Sequence, residues 1–233
     1  MSENANEIEL GPKFAASDYT NDGKTHVLLS ATGSVATIKL PNIIEALGRH
    51  KEFSIRVILT QSAETFLGGQ SAEQPTLQQL RQMDGVDGIY LDRDEWIDPW
   101  VRKNNILHIE LRRWADALLI SPLSANSLAK ITMGIADNLL LSVVRAWDTS
   151  GTIDIQKKRR PRIFLAPAMN TAMWRHPLTA KQIGQLETSW GSDNGWITVL
   201  MPMAKELACG DVGDGAMQDW REIVKAIEEY FAI

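Results

Sequence analysis

The chain has 233 residues, 44% of them hydrophobic and 23% charged, with a formal net charge of −5. That suffices for one large α/β domain or two small ones, and the acidic balance excludes a general affinity for nucleic acid or an anionic membrane. The single cysteine, Cys209, excludes an internal disulfide and fits a reducing, cytoplasmic setting.

Residues 1–24 are polar and acidic, lack the apolar stretch of a signal peptide, and read as a disordered N-terminal arm before one domain spanning 25–233. Residues 26–30 (HVLLS) form the first predicted strand, followed by a helical pattern over 35–48 in which Pro41 suggests a kink or a first turn. Residues 54–60 (SIRVILT) are a second strand, with a short helix around 63–67. The segment 68–104 is long for a plain loop and is expected to hold a short strand and a mobile part. Residues 108–115 are one or two helical turns, 116–121 (DALLIS) a third strand, and 124–134 and 137–147 helices, the latter capped by Asp137. Residues 148–161 form a polar insertion whose basic run, Lys157-Lys158-Arg159-Arg160, reads as a solvated loop. A fourth strand over 162–166, a helix over 171–190, a fifth strand over 196–200, a Gly-rich loop over 209–217 and a helix over 220–231 complete the chain. The longest apolar runs, 117–120 and 139–144, are too short to span a bilayer.

Strand alternating with helix implies an α/β fold: a doubly wound, Rossmann-like (flavodoxin-like) parallel sheet in a single domain, with right-handed crossovers. Ligand-binding loops should then gather at the carboxyl ends of the strands. Gly33 and Ser34 open a helix directly after a strand, where free N–H groups favour an anion such as phosphate. No G-x-G-x-x-G or P-loop pattern is present, and taken alone Ser34 is an ordinary helix cap. The stretch Ser121-Pro122-Leu123-Ser124-Ala125-Asn126-Ser127 is more telling. A cap needs only one of its polar residues, and the surplus suits a phosphorylated, ring-bearing cofactor. Asn170, in the joint Pro167-Ala168-Met169-Asn170-Thr171, reads first as a helix N-cap, with a ligand-facing amide as the functional alternative. Four scattered histidines and one cysteine lack metal-ligand spacing.

Of the histidines, His26, His50 and His176 read as structural. His108 opens a helical segment, where the positive dipole end favours the neutral imidazole a general base needs; its residue context alone still favours a structural role. Cys209 lies in a Gly-rich, acidic stretch expected to move, where Asp211 and Asp214 would keep a thiol protonated and able to donate. Trp96, Trp100, Trp114, Trp147 and Trp174 read as core or subunit contacts.

Several motifs, in order, carry a resemblance: Gly33-Ser34-Val35-Ala36, Leu107-His108-Ile109-Glu110-Leu111-Arg112-Arg113-Trp114, Ser124-Ala125-Asn126-Ser127, Asp137-Asn138-Leu139-Leu140, Arg145-Ala146-Trp147-Asp148, Pro167-Ala168-Met169-Asn170-Thr171 with Met173-Trp174, and Ala208-Cys209-Gly210 with Gly215-Ala216-Met217. Over roughly 25–232 the chain resembles the phosphopantothenoylcysteine decarboxylases, within the homo-oligomeric flavin-containing cysteine decarboxylases. The resemblance implies a homotrimer with FMN between subunits, acting on 4′-phosphopantothenoylcysteine in coenzyme A biosynthesis. It implies FMN contacts by Gly33, Ser34, Val35, Thr60, Ser62, Ser124, Ala125, Asn126, Ser127 and Ala168. It further implies His108 as base, Cys209 as proton donor, Asn170 on the substrate carboxylate, and Ala208 and Met217 along the substrate. The implied route oxidises the substrate thiol to a thioaldehyde, loses carbon dioxide to an ene-thiolate, and is reduced back to 4′-phosphopantetheine. Residues 149–161 are longer than the minimal form and resemble fungal members. Some fungal relatives, the halotolerance proteins, have lost the Cys or His and regulate a protein phosphatase; the presence of both residues and the absence of an acidic tail favour the enzyme.

Overall fold

The computed structural model describes residues 14–97, 99–153, 157, 159–191, 195–206 and 212–233. Six strands form one parallel sheet: β1 (Thr25–Ala31), β2 (Phe53–Leu59), β3 (Val86–Leu91), β4 (Ala117–Leu123), β5 (Arg162–Pro167) and β6 (Ile197–Val199). Their spatial order is β3-β2-β1-β4-β5-β6, every pair parallel. β1, β2 and β4 read as near-continuous apolar runs because both sheet faces are covered. The order reverses between β1 and β4, a topological switch point.

On one face, α1 (Leu40–Gly48), α3 (Leu77–Arg81) and α9 (Trp220–Phe231) cover Val27, Leu29, Val57 and Leu119. On the other, α4 (Leu107–Trp114), α5 (Ala125–Met133), α6 (Leu139–Arg145) and α8 (Pro177–Gln185) cover Leu28, Ile58, Leu118 and Ile120. The short helices α2 (Gln61–Glu64) and α7 (Thr171–Trp174) follow β2 and β5 at the carboxyl edge of the sheet. Among the described residues, no helix is long and apolar enough to cross a membrane.

Several expectations change. The segment 68–104 holds both α3 and β3, a full strand of the main sheet. β3 is an edge strand, half-exposed along most of its length, so its sequence carries Asp87 and Gly88 and shows little apolar signal. The helix expected over 35–48 is a 3-10 stretch, Val35–Lys39, followed by α1, with Pro41 in the first turn of α1. Asn138, not Asp137, caps α6, its side chain accepting from the Leu141 N–H at 2.9 Å, while Asp137 pairs with Lys130. The helix expected over 171–190 breaks at His176. Pro177 excludes its predecessor from helical geometry, so His176 is extended (φ −66°, ψ 136°) and caps α8 instead. Its far end, Leu186–Trp190, is a π turn. The Gly-rich stretch expected to be a loop contributes a strand, β8 (Val212–Ala216), paired antiparallel with β7 (Met203–Glu206).

The expected loose arm is packed from Phe14 onward. Arg56, on β2, is only 5% exposed, and its guanidinium lies 4.2 Å from the Phe14 ring centroid, 4.8 Å from Tyr19 and 5.2 Å from Trp114. It also hydrogen-bonds the Tyr90 hydroxyl. Among the described residues no carboxylate pairs with it. The aromatic faces therefore supply the compensating negative potential for a charge taken out of water. Glu110 fixes the same segment by accepting from the Ala16 N–H at 2.8 Å. Phe14→Ala should destabilise the protein by about 2 kcal/mol, read from the urea midpoint, since it opens one wall of the cage to water.

Candidate functional site

A cavity of about 790 Å³ opens at the carboxyl edge of the sheet, over the switch point. Helical N-termini ring it. Six of its wall residues are N-caps, each accepting a backbone N–H of the following turn: Ser34 before the 3-10 stretch, Thr60 before α2, Ser124 before α5, Asn138 before α6, Asn170 before α7 and Asp219 before α9. Parallel strands account for Ser34, Thr60, Ser124 and Asn170, which open helical turns where β1, β2, β4 and β5 end; Asn138 follows α5, and Asp219 follows the β7–β8 hairpin. Each side-chain oxygen satisfies one N–H of its turn, and free N–H groups at helix starts of this kind favour anions. Lys39 and Lys130 line the wall with Asp92, Asp137 and Asp219, and Lys130 is paired with Asp137 at 2.5 Å. Val35, Ile38, Phe66, Met169, Met203 and Trp220 supply its apolar part.

The loops are tied to one another. The Thr32 hydroxyl, fully buried, donates to the Pro122 carbonyl at 2.9 Å and accepts from the Ser124 N–H at 2.7 Å, joining the loops after β1 and β4. Ser124 and Ser127 are hydrogen-bonded at 3.3 Å. Asp92, at the end of β3, accepts from the Gln61 N–H at 3.0 Å and the Leu139 N–H at 3.3 Å, clamping α2 to α6. Burial pushes the Asp92 carboxyl above the usual carboxylate range. Gly33 is needed for closure between the first two loops, since a Cβ there would meet the Ser62 Cβ at 2.6 Å.

The β7–β8 hairpin lies on the loop after β5. Met169 N–H donates to the Gly215 carbonyl at 2.9 Å, and a Cβ on Gly215 would sit 2.3 Å from the Met169 oxygen. A Cβ on Gly213 would come 1.6 Å from the Thr171 hydroxyl. The glycines expected to give mobility instead permit contact. Arg175 fixes the hairpin from α7, with Nη2 2.7 Å from Asp214 Oδ2, so Asp214 is already engaged by a cation.

The cavity brings together most of the residues singled out from sequence: Gly33, Ser34, Val35, Thr60, Ser62, Ser124, Ala125, Asn126, Ser127, Ala168, Asn170 and Met217. The alternative posed for Asn170 dissolves, because it caps α7 through the Ala172 N–H at 2.8 Å and also lines the cavity. Ala208, Cys209 and Asp211 lie outside the described residues. His108 stands at the same sheet edge, in the first turn of α4, but is not among the wall residues. Its Nδ1 is 2.7 Å from Glu95 Oε1. Sequence reading missed Glu95, Asp92 and Asn138; for Asn138 a polar residue before an apolar helix was the available signal. His26 is structural, stacked 4.7 Å from Trp114 and bonded to Asp22, as are His50, bonded to Glu228, and His176. Trp114 and Trp147 are buried in the core, while Trp96 and Trp100 are exposed.

A sequence profile described as Flavoprotein matches residues 15–232. The chain belongs to the flavoprotein family. It is 42% identical over 207 residues to a putative phosphopantothenoylcysteine decarboxylase of Dictyostelium discoideum, covering 89% of this chain and 93% of the relative. Among solved structures it is similar to a cysteine-to-serine mutant of PPC decarboxylase complexed with pantothenoylaminoethenethiol, at 38% identity and a TM-score of 0.71, covering 90% of this chain and all of that one. It is also similar to the FMN binding protein AtHal3, at 39% identity and a TM-score of 0.68, covering 90% and 97%. The chain spans 36% and 29% of the length of two longer relatives, from Saccharomyces cerevisiae and Schizosaccharomyces pombe.

Gly215→Ala should force the hairpin off Met169 and cost about 1–3 kcal/mol through overpacking. Hydrogen exchange should report it as lost protection at the Met169 amide.

Proposed function

We propose that this chain is an FMN-dependent decarboxylase converting 4′-phosphopantothenoylcysteine to 4′-phosphopantetheine in coenzyme A biosynthesis, in the cytoplasm. The observation that carries this reading is the ring of N-caps around a partly apolar cavity at the switch point. FMN has a flat apolar ring and a dianionic phosphate, and the wall offers surfaces of both kinds. Gly33, Ser34, Val35, Thr60, Ser62, Ser124, Ala125, Asn126, Ser127 and Ala168 would hold it. Two similar proteins named above as decarboxylases, and a third named for FMN, support the assignment.

Loss of carbon dioxide from a cysteine carboxylate needs an electron sink that the residue itself lacks. FMN, held by those residues, would supply that sink as a reversible hydride acceptor, at the cost of taking the substrate's CH2–SH to the thioaldehyde level. The chain's own tasks are then positional and protic. Asn170 holds the substrate carboxylate, and Met217 and Ala208 line the substrate's path. His108 takes the thiol proton. After carbon dioxide leaves, sulfur carries the charge as an ene-thiolate; completing 4′-phosphopantetheine needs the hydride held by the flavin to return together with one proton, and Cys209 would supply that proton. Purified protein should absorb in the visible as bound flavin, and mass spectrometry of the released cofactor should give FMN. His108→Asn should keep FMN and lose turnover, and Cys209→Ser should accumulate oxidised, decarboxylated material. Colourless, folded protein that takes up no FMN would sink the reading.

Because His108 is not a wall residue of its own chain's described cavity, the reading places it in the cavity of a neighbouring copy within a homotrimer. Val35 (45% exposed) and Met173 (54% exposed), both wall residues, leave apolar surface at the site that a second copy would cover. Co-expressed His108→Asn and Asn170→Ala chains should therefore regain activity that neither variant has alone, since some mixed sites hold both native residues. Absence of recovery in verified mixed oligomers would place both residues in one chain's site.

A further inference from the structure

The mechanism proposed above assigns a proton to His108 but leaves open what determines which ring nitrogen is free to take it. Glu95 follows the 3-10 turn Asp92–Asp94 at the end of β3, thirteen residues before His108. That turn is fixed twice: Asp94 accepts from the Leu91 N–H at 2.8 Å, and Asp92 clamps α2 to α6. The Glu95 side chain is 5% exposed and its Oε1 lies 2.7 Å from His108 Nδ1. Its Oε2 is buried with no hydrogen-bond partner among the described residues. A carboxylate buried beside a single imidazole, with half of its acceptor capacity unused, is poorly arranged for stability alone. His108 Nε2 has no hydrogen-bond partner among the described residues, and the ring retains 20% exposure.

We propose that Glu95 is the positioning residue of the base: its carboxylate accepts from Nδ1–H of His108 and thereby holds the tautomer whose Nε2 lone pair is open to substrate. This rests on the decarboxylase reading. The substrate S–H proton passes to Nε2, leaving a thiolate and an imidazolium whose Nδ1–H still points at Glu95. The positive ring and the buried carboxylate then face each other across the same hydrogen bond. With the other tautomer Nε2 already carries hydrogen and the transfer has no acceptor. Glu95 touches neither substrate nor cofactor in this scheme and acts through His108.

Glu95→Gln is nearly isosteric, so the buried site keeps its packing, but its amide can donate into Nδ1 and so release the tautomer. Ring 15N shifts of His108, assigned by comparison with His108→Asn, should report Nδ1–H in the native protein with or without FMN. In Glu95→Gln they should report a substantial Nε2–H population. Turnover should fall on the order of a hundredfold or more with KM and FMN affinity within about twofold of native. A native ring already in the Nε2–H form, an unchanged tautomer in Glu95→Gln, or a changed tautomer with turnover within about twofold of native would each overturn the inference. Native protein that binds no FMN and releases no carbon dioxide would instead overturn the decarboxylase reading, and with it the catalytic meaning of the pair.

Discussion

The parallel register of the sheet is the constraint on which everything else depends. When every strand runs the same way, every crossover helix begins at one edge, and the unpaired N–H groups of its first turn point there as well. Here that edge collects the N-caps Ser34, Thr60, Ser124 and Asn170 after four of the strands, and Asn138, after α5, and Asp219, after the hairpin, join them around one cavity. An antiparallel sheet would divide those helix ends between two edges and leave neither rich enough in donors to bind a doubly charged phosphate. The gathering of helix starts at one cavity is thus largely a property of the topology. The loop tie through Thr32 and Pro122 keeps the two central loops in register, so the donors converge rather than merely coexist.

Second in importance is the close approach of the β7–β8 hairpin. The main sheet leaves the loop after β5 standing free, and Met169 and Asn170 would then sit on an unsupported turn. The hairpin backbone instead meets Met169 directly, a contact only glycine at 215 allows. Arg175 adds a charge clamp from the same loop's helix. β8 thus meets the residues on either side of Asn170, Gly215 against Met169 and Gly213 beside Thr171.

What could be read in the sequence follows from burial. β1, β2 and β4 are covered on both faces, and their near-continuous apolar runs were legible, as was α9 with its strong apolar stripe. β3 was legible only as a short strand without a position in 68–104, because an edge strand needs only a partial apolar face and tolerates Asp87 and Gly88. The hairpin was hidden for the opposite reason: Gly213 and Gly215 are poor strand residues, retained because backbone must touch backbone. The cavity loops were legible because small polar residues after a buried strand have few other uses, and each of those loops reaches the wall. Tertiary clamps leave no local trace. Asp92 accepts from residues 31 positions earlier and 47 later, and nothing near Asp92 in sequence announces either partner.

The same distinction separates the two halves of the proposed chemistry. The cofactor half is local: each loop carries its own cap, and the fold only has to bring the loops to one edge. The proton half is relational. His108 has value only in relation to Glu95, on a different element, and to a cavity whose described walls do not include it. A histidine at the start of a helix is chemically unremarkable on its own. Given a buried carboxylate on one nitrogen and an open lone pair on the other, it becomes a base with a defined direction. The fold fixes that direction through β3, the strand whose sequence shows it least.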